Sequence, residues 1–394
     1  MTDIFSTILH SRTGMSDVQS AVDPFTGKNT IMLPPVVRHP ANPVASRAGF
    51  FESVLEHKLA GTVPGGLAPQ LRNLQDTFNC GVAHYDGRYV MLVRFQNQQR
   101  QNDIYLATSH DGVRWDHTPE LLDLPNLPAA PDPGGLARSG WQLPEGKPWH
   151  KGQFYDPRIT QMEDGSYLIA LAVDYDTIEP PGQPYAYVCD NVLYRTRDFK
   201  SFEFLCTLQG HTRNCVLFPR KIDGWYYAAG RPNASKRVNT VLFRSKDLKQ
   251  WEQGDELFTG GHAWMIYAGP GFPPFETEDY WVLGVHAVET HGTFQIVYRA
   301  AVCLLDKKSM KLVAGPVPIL HPDKPYETDG TIGAAVIFPT GVLFSDGNGS
   351  GVKTRDTKVA IYYGAADSFV GVGMTTVGRL IDTALGKYDP VAAV

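Results

Sequence analysis

The chain repeats one pattern of hydrophobic and polar positions along most of its length: an apolar run, an acidic turn, an aromatic residue and a second apolar run. Short apolar runs bounded by turn residues predict β-strands. Asp-Gly between two such runs predicts a β-hairpin, because glycine adopts the positive φ of a type I′ turn without strain. We therefore predict hairpins in four segments, the last with Glu-Asp instead of Asp-Gly: VAHYDGRYVMLVRF (82–95), ITQMEDGSYLIALAV (159–173), PRKIDGWYYAAGR (219–231) and PPFETEDYWVLGVH (273–286).

A second motif follows three of these hairpins: a hydroxyl residue, any residue, Asp, three further residues and an aromatic residue. Its place after each hairpin predicts a turn between outer strands. The segment 300–306 (AAVCLLD) occupies the same place after the fourth hairpin, and segments 333–344 and 358–367 predict a fifth hairpin. The copies of the motif are SHDGVRW (109–115), TRDFKSF (196–202) and SKDLKQW (245–251).

Five units of about four strands, with a period of roughly sixty residues, predict an all-β fold, a five-bladed β-propeller, in which radial repetition protects the sheet edges. A two-domain α/β protein is the alternative. Helical periodicity is convincing only at 48–61, where Phe51, Val54, Leu55 and Leu59 share a face. We therefore expect residues 1–70 to form an N-terminal arm with this helix, and residues 71–394 to form the propeller.

The Pro-rich segment 118–152 is too long for an ordinary connection. Loops of this length are often functional covers, so the segment either roofs a site or is a solvated excursion.

Composition narrows the class of protein. The 394 residues are 43% hydrophobic and 20% charged, with net charge −5, which gives no electrostatic basis for binding nucleic acid or an acidic bilayer. No apolar run is long enough for a membrane span. Five scattered cysteines without a CxxC pair, and no recognisable export signal, favour reduced thiols in a cytoplasmic protein. Histidine and cysteine spacings typical of zinc sites are absent, so no metal is expected.

Polar residues recur at one place in each predicted hairpin. The start of the first strand and the end of the second lie side by side in an antiparallel pair. If these hairpins are the innermost ones, the same ends meet around the propeller axis and form a pocket. The expected pairs are Asn79 with Arg94, Asp156 with Asp174, Arg213 and Asn214 with Arg231, Gly269 with His286, and Asp329 with Asp367.

Asp156 is the best candidate for a general acid, which glycosidic bond cleavage requires. Pro157 follows it and biases it toward an extended conformation. Arg158 would lie on the same face of an extended strand and would lower the pKa of Asp156. A purely structural pair of Asp156 and Arg158 is therefore the alternative.

Cationic residues gather at the same predicted mouth. Arg213, Arg231 and His286, with the neutral donors Asn214 and Tyr298, suit a phosphate or a carboxylate, because guanidinium groups bind such oxygens bidentately. Salt bridges to aspartates of neighbouring blades are the alternative. Arg213 and Arg231 bracket one hairpin and are expected to lie together.

From Phe78 to Asp367 the chain resembles glycoside hydrolase family 130, the inverting β-mannoside phosphorylases, and most closely the branch that acts on β-1,4-mannosylglucose. The segments that carry this resemblance are FNCGVAHYDGRYVMLVRF, SHDGVRW, YDPRIT, RNCVLFPRKIDG with Arg231 downstream, AGPGFPPFET, VHAV and YYGAAD. The combination is far more specific than any single segment.

The resemblance implies a five-bladed propeller that converts a β-1,4-mannoside and phosphate to α-D-mannose 1-phosphate and the released sugar. Phosphate is then a co-substrate, no cofactor is expected, and the partners are small molecules, with homo-oligomerisation left open. Asp156 corresponds to the family's general acid, whose proton is thought to pass through a mannose hydroxyl. The implied phosphate ligands are Arg213, Asn214, Arg231, His286 and Tyr298, and the implied sugar contacts are Asn79, Cys80, Arg94, Tyr155 and Asp367.

The chain departs from the family pattern at three places, all of which bear on the acceptor sugar. Cys215 stands where Gly or Ala is more usual, segment 95–103 is less acidic, and the 118–152 insertion differs. The expected substrate is 4-O-β-D-mannosyl-D-glucose, with β-1,4-manno-oligosaccharides as the alternative.

Three other functions are possible for a protein of this architecture. A hydrolase of the arabinanase or invertase type uses carboxylates from three successive blades, whereas Asn79 and the Arg213–Asn214 pair occupy two of those positions here. A β-mannosidase of the same family would be expected to lose phosphate ligands. A propeller that only binds proteins needs no acid beside an arginine pair.

Overall fold

The computed structural model describes residues 3–5, 19–22, 29–61, 73–98, 100–125, 154–174, 189–208, 212–232, 239–261, 264–291, 295–389 and 391–393. Strands dominate this part of the chain, with three helices, α1 (Arg47–Leu59), α2 (Pro325–Thr328) and α3 (Val377–Ala384). The strands are β1 (Gln19–Val22), β2 (Asn29–Met32), β3 (Val37–Arg38), β4 (Leu74–Tyr85), β5 (Arg88–Asn97), β6 (Asn102–Ser109), β7 (Asp116–Leu121), β8 (Phe154–Gln161), β9 (Tyr167–Asp174), β10 (Cys189–Thr196), β11 (Glu203–Thr207), β12 (Thr212–Leu217), β13 (Tyr226–Pro232), β14 (Asn239–Ser245), β15 (Glu252–Thr259), β16 (Tyr267–Pro270), β17 (Phe275–Glu276), β18 (Tyr280–His291), β19 (Gln295–Asp306), β20 (Leu312–Leu320), β21 (Ala335–Phe344), β22 (Lys358–Ala365), β23 (Phe369–Thr376) and β24 (Val391–Ala393).

The sheets follow the predicted repeat. Unit one (β4–β7), unit two (β8–β11) and unit three (β12–β15) are separate four-stranded sheets in which sequential strands pair antiparallel. Unit four (β16–β20) and unit five (β21–β23 with β3) belong to one nine-stranded sheet, joined where β19 pairs with β21 in parallel. The five predicted hairpins are therefore confirmed, and each supplies the first two strands of its unit. In unit four the first strand is divided into β16 and β17, both of which pair with β18.

Hydrophobic cores fill the spaces between successive units. Units one and two share one core, as do two and three, three and four, and four and five. A fifth core joins the last unit to the first, where Tyr362 and Val372 pack in one cluster with Met91 and Tyr105. The sheet of each unit is thus covered by a hydrophobic core on both faces. This explains why apolar residues occupy consecutive positions along its strands and not only every second position.

The Asp-Gly turns behave as their sequence predicts in two of three hairpins. Asp86 and Gly87 have φ values of 50° and 71°, and Asp223 and Gly224 have 48° and 77°. Positive φ at both central residues is the type I′ signature. The Asp164 turn is longer, and its carboxylate accepts the Ser166 N–H at 2.9 Å instead.

In units one to four, the second sequence motif or its equivalent at Asp306 forms the turn between the third and fourth strands, as predicted. Asp198 accepts the N–H groups of residues 200 and 201, Asp247 those of 249 and 250, and Asp306 those of 308 and 309, at 2.7 to 3.2 Å. Asp111 makes the equivalent turn in unit one. The same hydrogen bonds hold the pKa of Asp198, Asp247 and Asp306 below its usual value.

Helix α1 lies where the sequence predicts it, but only part of its expected apolar face is buried. Ser46 caps its N-terminus by accepting the Gly49 N–H at 3.1 Å. Phe50 is buried against the ring of Tyr105, whereas Leu55 and Leu59 are 54% and 79% exposed. Phe51 and Val54 are partly buried against the same core, so the expected face is confirmed for these two residues and wrong for Leu55 and Leu59. Phe50, one position before the expected stripe, anchors the helix on unit one.

Segments near the two ends of the chain also form strands. The arm contributes β3 to the edge of unit five by pairing with β23, and β1, β2 and β24 form a separate three-stranded sheet. Most of the 118–152 insertion lies outside the described residues. Among the helices described, none is long and apolar enough to cross a membrane.

Candidate active site

A cavity of about 130 Å³ lies among residues contributed by all five units, most of them from the first two strands of a unit. Its walls carry all but one of the site residues predicted from the sequence. The lining residues are Asn79, Arg94, Tyr155, Asp156, Ala172, Arg213, Asn214, Arg231, Tyr267, His286, Tyr298, Val336, Phe338 and Asp367.

Three of the polar residues reach this cavity because the first strand of their unit is bulged. Asn79, Asp156 and Asn214 have φ values of 44°, 51° and 55°. Each lies at a break in register between the first and second strands of its unit. A bulge redirects the side chain it carries, and Asn and Asp tolerate left-handed backbone better than most residues. The expectation that Pro157 holds Asp156 extended is therefore wrong.

The acidic half of the cavity (Asn79, Arg94, Asp156 and Asp367) comes from units one, two and five. Asn79 Nδ2 and Arg94 Nη1 both donate to Asp156 Oδ1, at 2.7 and 2.9 Å. Arg94 Nε donates to Asn102 Oδ1 at 2.9 Å. The Arg94 guanidinium lies 4.8 Å from the ring centroid of Tyr155, which aligns it for the carboxylate. Asp156 is thus fixed through one oxygen.

Arg158 does not share a strand face with the Asp156 carboxylate, because the positive φ of Asp156 interrupts the alternation. Its Nη1 donates to the Asp156 carbonyl oxygen at 3.0 Å, and its Nε donates to the Gly271 carbonyl at 2.9 Å. The guanidinium also lies 5.4 Å from the Phe338 ring centroid. These contacts brace the backbone that carries Asp156.

Asp367 is the second carboxylate of the acidic half. Like Asp156 it has a left-handed backbone, with φ of 51°. Burial raises its pKa to about 6, and the nearby charge of Asp156 adds to this rise although Arg94 opposes it. Asp367 therefore changes charge close to neutral pH.

The basic half of the cavity (Arg213, Asn214, Arg231, His286 and Tyr298) comes from units three and four. Arg213 and Arg231 are direct partners in the β12–β13 ladder, so the expectation that they lie together is confirmed. The Arg231 guanidinium lies 5.5 Å from the ring centroid of Tyr267, whose hydroxyl is 3.4 Å from that of Tyr298. Burial raises the pKa of Tyr298 and keeps its hydroxyl protonated.

His286 is neutral, not the cation that the sequence suggested. Burial lowers its pKa well below the usual value, and the charges of Arg231 and Arg158 lower it further. Its Nδ1 lies 3.0 Å from the Pro270 carbonyl, so Nδ1 carries the proton and donates it. Nε2 then accepts from Asn214 Nδ2 at 3.4 Å. The positive charge of this half rests on the two arginines.

Two glycines leave the space that these side chains fill. A Cβ on Gly364 would lie 1.7 Å from Asn79 Oδ1, and a Cβ on Gly269 would lie 2.6 Å from His286 Cε1. Real Cβ atoms do not approach other atoms so closely, so both positions need glycine. Gly364 serves the acidic half and Gly269 serves the basic half.

Four residues expected in the pocket are not among its lining residues: Cys80, Asp174, Asp329 and Gly269, the last of which lies against the His286 ring. The Cys80 thiol is fully buried in the core shared by units five and one. Asp329 is exposed at the end of α2, because unit five starts its first strand six residues later, at Ala335. Ala172 lies in the wall near the position expected for Asp174, whose side chain is outside the described residues.

The sequence reading also missed lining residues that carry no charge, namely Tyr267, Val336 and Phe338. Tyr267 stands two residues before Gly269 at the start of β16, a position that the strand-end argument could have included. Val336 and Phe338 belong to the fifth hairpin but are apolar, so a search for polar strand ends passes over them. In the described part of the chain, no group of three or more His, Cys, Asp or Glu side chains could hold a metal ion.

Comparisons with known proteins all point to one family. The family model of glycoside hydrolase family 130, described as β-1,4-mannooligosaccharide phosphorylase, matches residues 35–385. The β-1,4-mannooligosaccharide phosphorylase of Ruminococcus albus is 29% identical over 327 residues, covering 79% of this chain and 86% of that protein. The 4-O-β-D-mannosyl-D-glucose phosphorylase of Bacteroides fragilis is 27% identical over 329 residues, covering 78% of this chain and 75% of that protein.

A solved structure shares the fold. The β-1,2-mannobiose phosphorylase of Listeria innocua, in complex with β-1,2-mannobiose, superposes with a TM-score of 0.64 at 18% identity. The superposition covers 89% of this chain and 99% of that one.

Proposed function

The chain belongs to glycoside hydrolase family 130, and we propose that it is an inverting phosphorylase that cleaves a β-mannoside with inorganic phosphate. The products are then α-D-mannose 1-phosphate and the released sugar. The observation that carries this proposal is the division of one cavity into a half with a fixed carboxylate and a half with two arginines.

In this proposal Asp156 is the general acid. Its Oδ1 accepts from Asn79 and Arg94, and among the described residues no donor bonds its Oδ2. The proton is therefore carried on Oδ2 and passes to the leaving oxygen, directly or through a mannose hydroxyl. Fixing the carboxylate before substrate arrives contributes through orientation.

Phosphate is the nucleophile and is held by the basic half. The guanidinium groups of Arg213 and Arg231 match phosphate oxygens, and the side chains of Asn214 and Tyr298 supply neutral donors. His286 takes part through its contact with Asn214. Phosphate held on this side attacks the anomeric carbon opposite the leaving group, which inverts its configuration.

Hydrolysis of the same β-mannoside is the alternative, and Asp367 is the observation in its favour. A carboxylate with a pKa of about 6 is suited to deprotonating water near neutral pH. An inverting hydrolase, however, places its base across the sugar from its acid, roughly 6.5 to 9.5 Å away. Asp367 lies in the acidic half, where the charge of Asp156 affects its pKa. We assign Asp367, with Asn79, Arg94 and Tyr155, to sugar binding.

The preferred substrate is 4-O-β-D-mannosyl-D-glucose, with β-1,4-manno-oligosaccharides as the second choice. The two relatives that carry these activities match the chain at 27% and 29% identity over similar lengths. The sequence segments that resemble the mannosylglucose branch favour the first substrate.

The proposed architecture is a five-bladed β-propeller with one blade per unit. Five hydrophobic cores between successive units, including one between the last and the first, support this arrangement. We also propose a cytoplasmic location, which is supported by the free, buried thiols of Cys80, Cys206, Cys215 and Cys303.

A substrate screen tests the proposed function. The purified enzyme is incubated with mannosylglucose, β-1,4-mannobiose, β-1,4-mannotriose and β-1,2-mannobiose, each with and without phosphate, and consumption of inorganic phosphate is measured. We expect phosphate consumption with the β-1,4 substrates and no sugar release without phosphate. Sugar release that does not depend on phosphate would refute the proposal.

A further inference from the structure

The bulges that aim Asn79 and Asn214 into the cavity create a problem for the backbone. A bulge leaves a residue outside the regular ladder, and a buried N–H without an acceptor costs about 1 to 3 kcal/mol. The N–H groups at risk are those of the residues that follow the two asparagines, Cys80 and Cys215. Both of these residues are fully buried.

At the first bulge, a threonine of another unit accepts this N–H. The Cys80 N–H donates to Thr340 Oγ1 at 3.0 Å. Thr340 is fully buried on β21 and itself lies at a break in register, between Pro339 and Gly341. The bond therefore ties the bulge of unit one to unit five.

At the bulge of unit three, an asparagine of another unit does the same. The Cys215 N–H donates to Asn191 Oδ1 at 2.5 Å. Asn191 is 1% exposed on β10, and its own backbone carbonyl accepts the Leu208 N–H at 2.8 Å. Asn191 Nδ2 donates to the Asp190 carbonyl at 3.3 Å, so the side chain is held in place while its oxygen supports the neighbouring unit.

The bulge of unit two has no N–H that needs an acceptor. The residue after Asp156 is Pro157, which has no N–H. A bulge followed by proline needs no acceptor from a neighbouring unit. A buried polar side chain supports the two bulges that do expose an N–H.

We propose that Thr340 and Asn191 are positioning residues, which set the place of Asn79 and Asn214 by accepting the N–H that follows each bulge. Their effects on the reaction differ, because the two asparagines serve different halves of the cavity. Asn79 bonds the Asp156 carboxylate, whereas Asn214 bonds His286 in the basic half. This inference rests on the proposed function, in which the first half delivers the proton and the second holds phosphate.

Thr340 is tested with a nearly isosteric variant that has no hydroxyl. Thr340→Val should lower kcat about 10- to 100-fold, since a misplacement of about 1 Å can have that effect, and should leave KM for phosphate within about threefold. Thr340→Ser keeps the acceptor and should restore most of kcat. If Thr340→Val does not fold, Thr340→Cys, with a weak acceptor of similar size, should show a smaller loss of kcat.

The matched control is Thr160→Val. Thr160 is another buried threonine, whose hydroxyl donates to the Leu217 carbonyl at 3.2 Å. Thr160→Val should lose about as much thermal stability as Thr340→Val, but its kcat should stay within about threefold of wild type.

Asn191 is tested in parallel, and its variants should change KM for phosphate rather than kcat. Asn191→Leu, or Asn191→Ala if the leucine variant does not fold, should raise KM for phosphate about tenfold or more. Its kcat at saturating phosphate should stay within about threefold of wild type. The rise in melting temperature caused by phosphate should shrink with Asn191→Leu and persist with Thr340→Val.

Two results would overturn the proposal. One is that Thr340→Val loses only as much stability as Thr160→Val and keeps its kcat. The other is that Asn191→Leu destabilises the protein but binds phosphate as wild type does. Failure of the proposed function is distinct: wild type would then release mannose without phosphate, and the kcat of Thr340→Val against Thr340→Ser would still report on Asp156 positioning.

Discussion

The two halves of the cavity are built on different principles. In the acidic half, the protein itself holds the carboxylate, because Asp156 Oδ1 takes hydrogen bonds from Asn79 and Arg94. In the basic half, the arginines face each other across one ladder and the nearby histidine is neutral. A region of concentrated positive charge with buried neutral donors favours an anion. In the proposed function, the first half delivers the proton and the second binds phosphate.

The largest effect should follow from Asp156→Asn. The amide keeps the shape of the side chain but cannot deliver a proton, so kcat should fall about 10³- to 10⁴-fold. Because the basic half is intact, the rise in melting temperature caused by phosphate should be unchanged. Activity within a few-fold of wild type would remove Asp156 from its assigned role.

Arg231→Lys should be the next most damaging change, and it should act on the other half. Lysine keeps the charge but loses the two-pronged guanidinium, which is worth about 1.5 to 3 kcal/mol per charged hydrogen bond. KM for phosphate should rise about 10- to 100-fold, as measured by initial rates over a phosphate series. An unchanged KM would indicate that Arg231 has a structural role.

The two glycines allow each half to be disturbed without touching a charged residue. Gly364→Ala places a Cβ against Asn79 and should lower kcat about tenfold, whereas Gly269→Ala presses on His286 and should raise KM for phosphate about tenfold. Gly254→Ala is the control, because its Cβ would make only an ordinary contact, 3.4 Å from the Leu242 carbonyl oxygen. Identical kinetic defects in the first two variants would show that the halves are not separable.

The last effect is on stability rather than on kinetics, and it concerns Asp367. Its pKa of about 6 in the folded protein lies above the usual 3.8, so the folded state binds the proton more tightly than the unfolded state. Stability is therefore lost as pH rises from about 4 to 6, and the loss stays constant above pH 6. Asp367→Asn removes this loss and should be more stable than wild type by up to about 3 kcal/mol at pH 7. Urea unfolding at pH 4, 5, 6 and 7 measures the difference, and a pH-independent difference would contradict the pKa.

Much of the fold could be predicted because it depends on interactions between residues that are close in sequence. The glycines after Asp86 and Asp223 mark turns that need positive φ, and the motif around Asp198, Asp247 and Asp306 supplies its own hydrogen bonds. Pairing within a hairpin follows from its turn, so the contact between Arg213 and Arg231 was also accessible.

The remaining features depend on contacts between units, which no local pattern records. The left-handed backbone of Asp156 is stabilised by its surroundings against the extended preference before proline. The neutrality of His286 comes from burial and from arginines of other strands. Likewise Phe50 anchors α1 through Tyr105, 55 residues away in sequence, while the more regular Leu55 and Leu59 stay exposed.

The anomeric configuration of the product tests the central claim most directly. Proton and phosphorus NMR can follow one reaction of the enzyme with mannosylglucose, or with the best substrate of the screen, in the presence of phosphate. An acid on one side of the sugar and phosphate on the other predict α-mannose 1-phosphate as the first product, with no reaction when phosphate is omitted. A β-configured sugar phosphate, or free mannose formed equally with and without phosphate, would contradict the account.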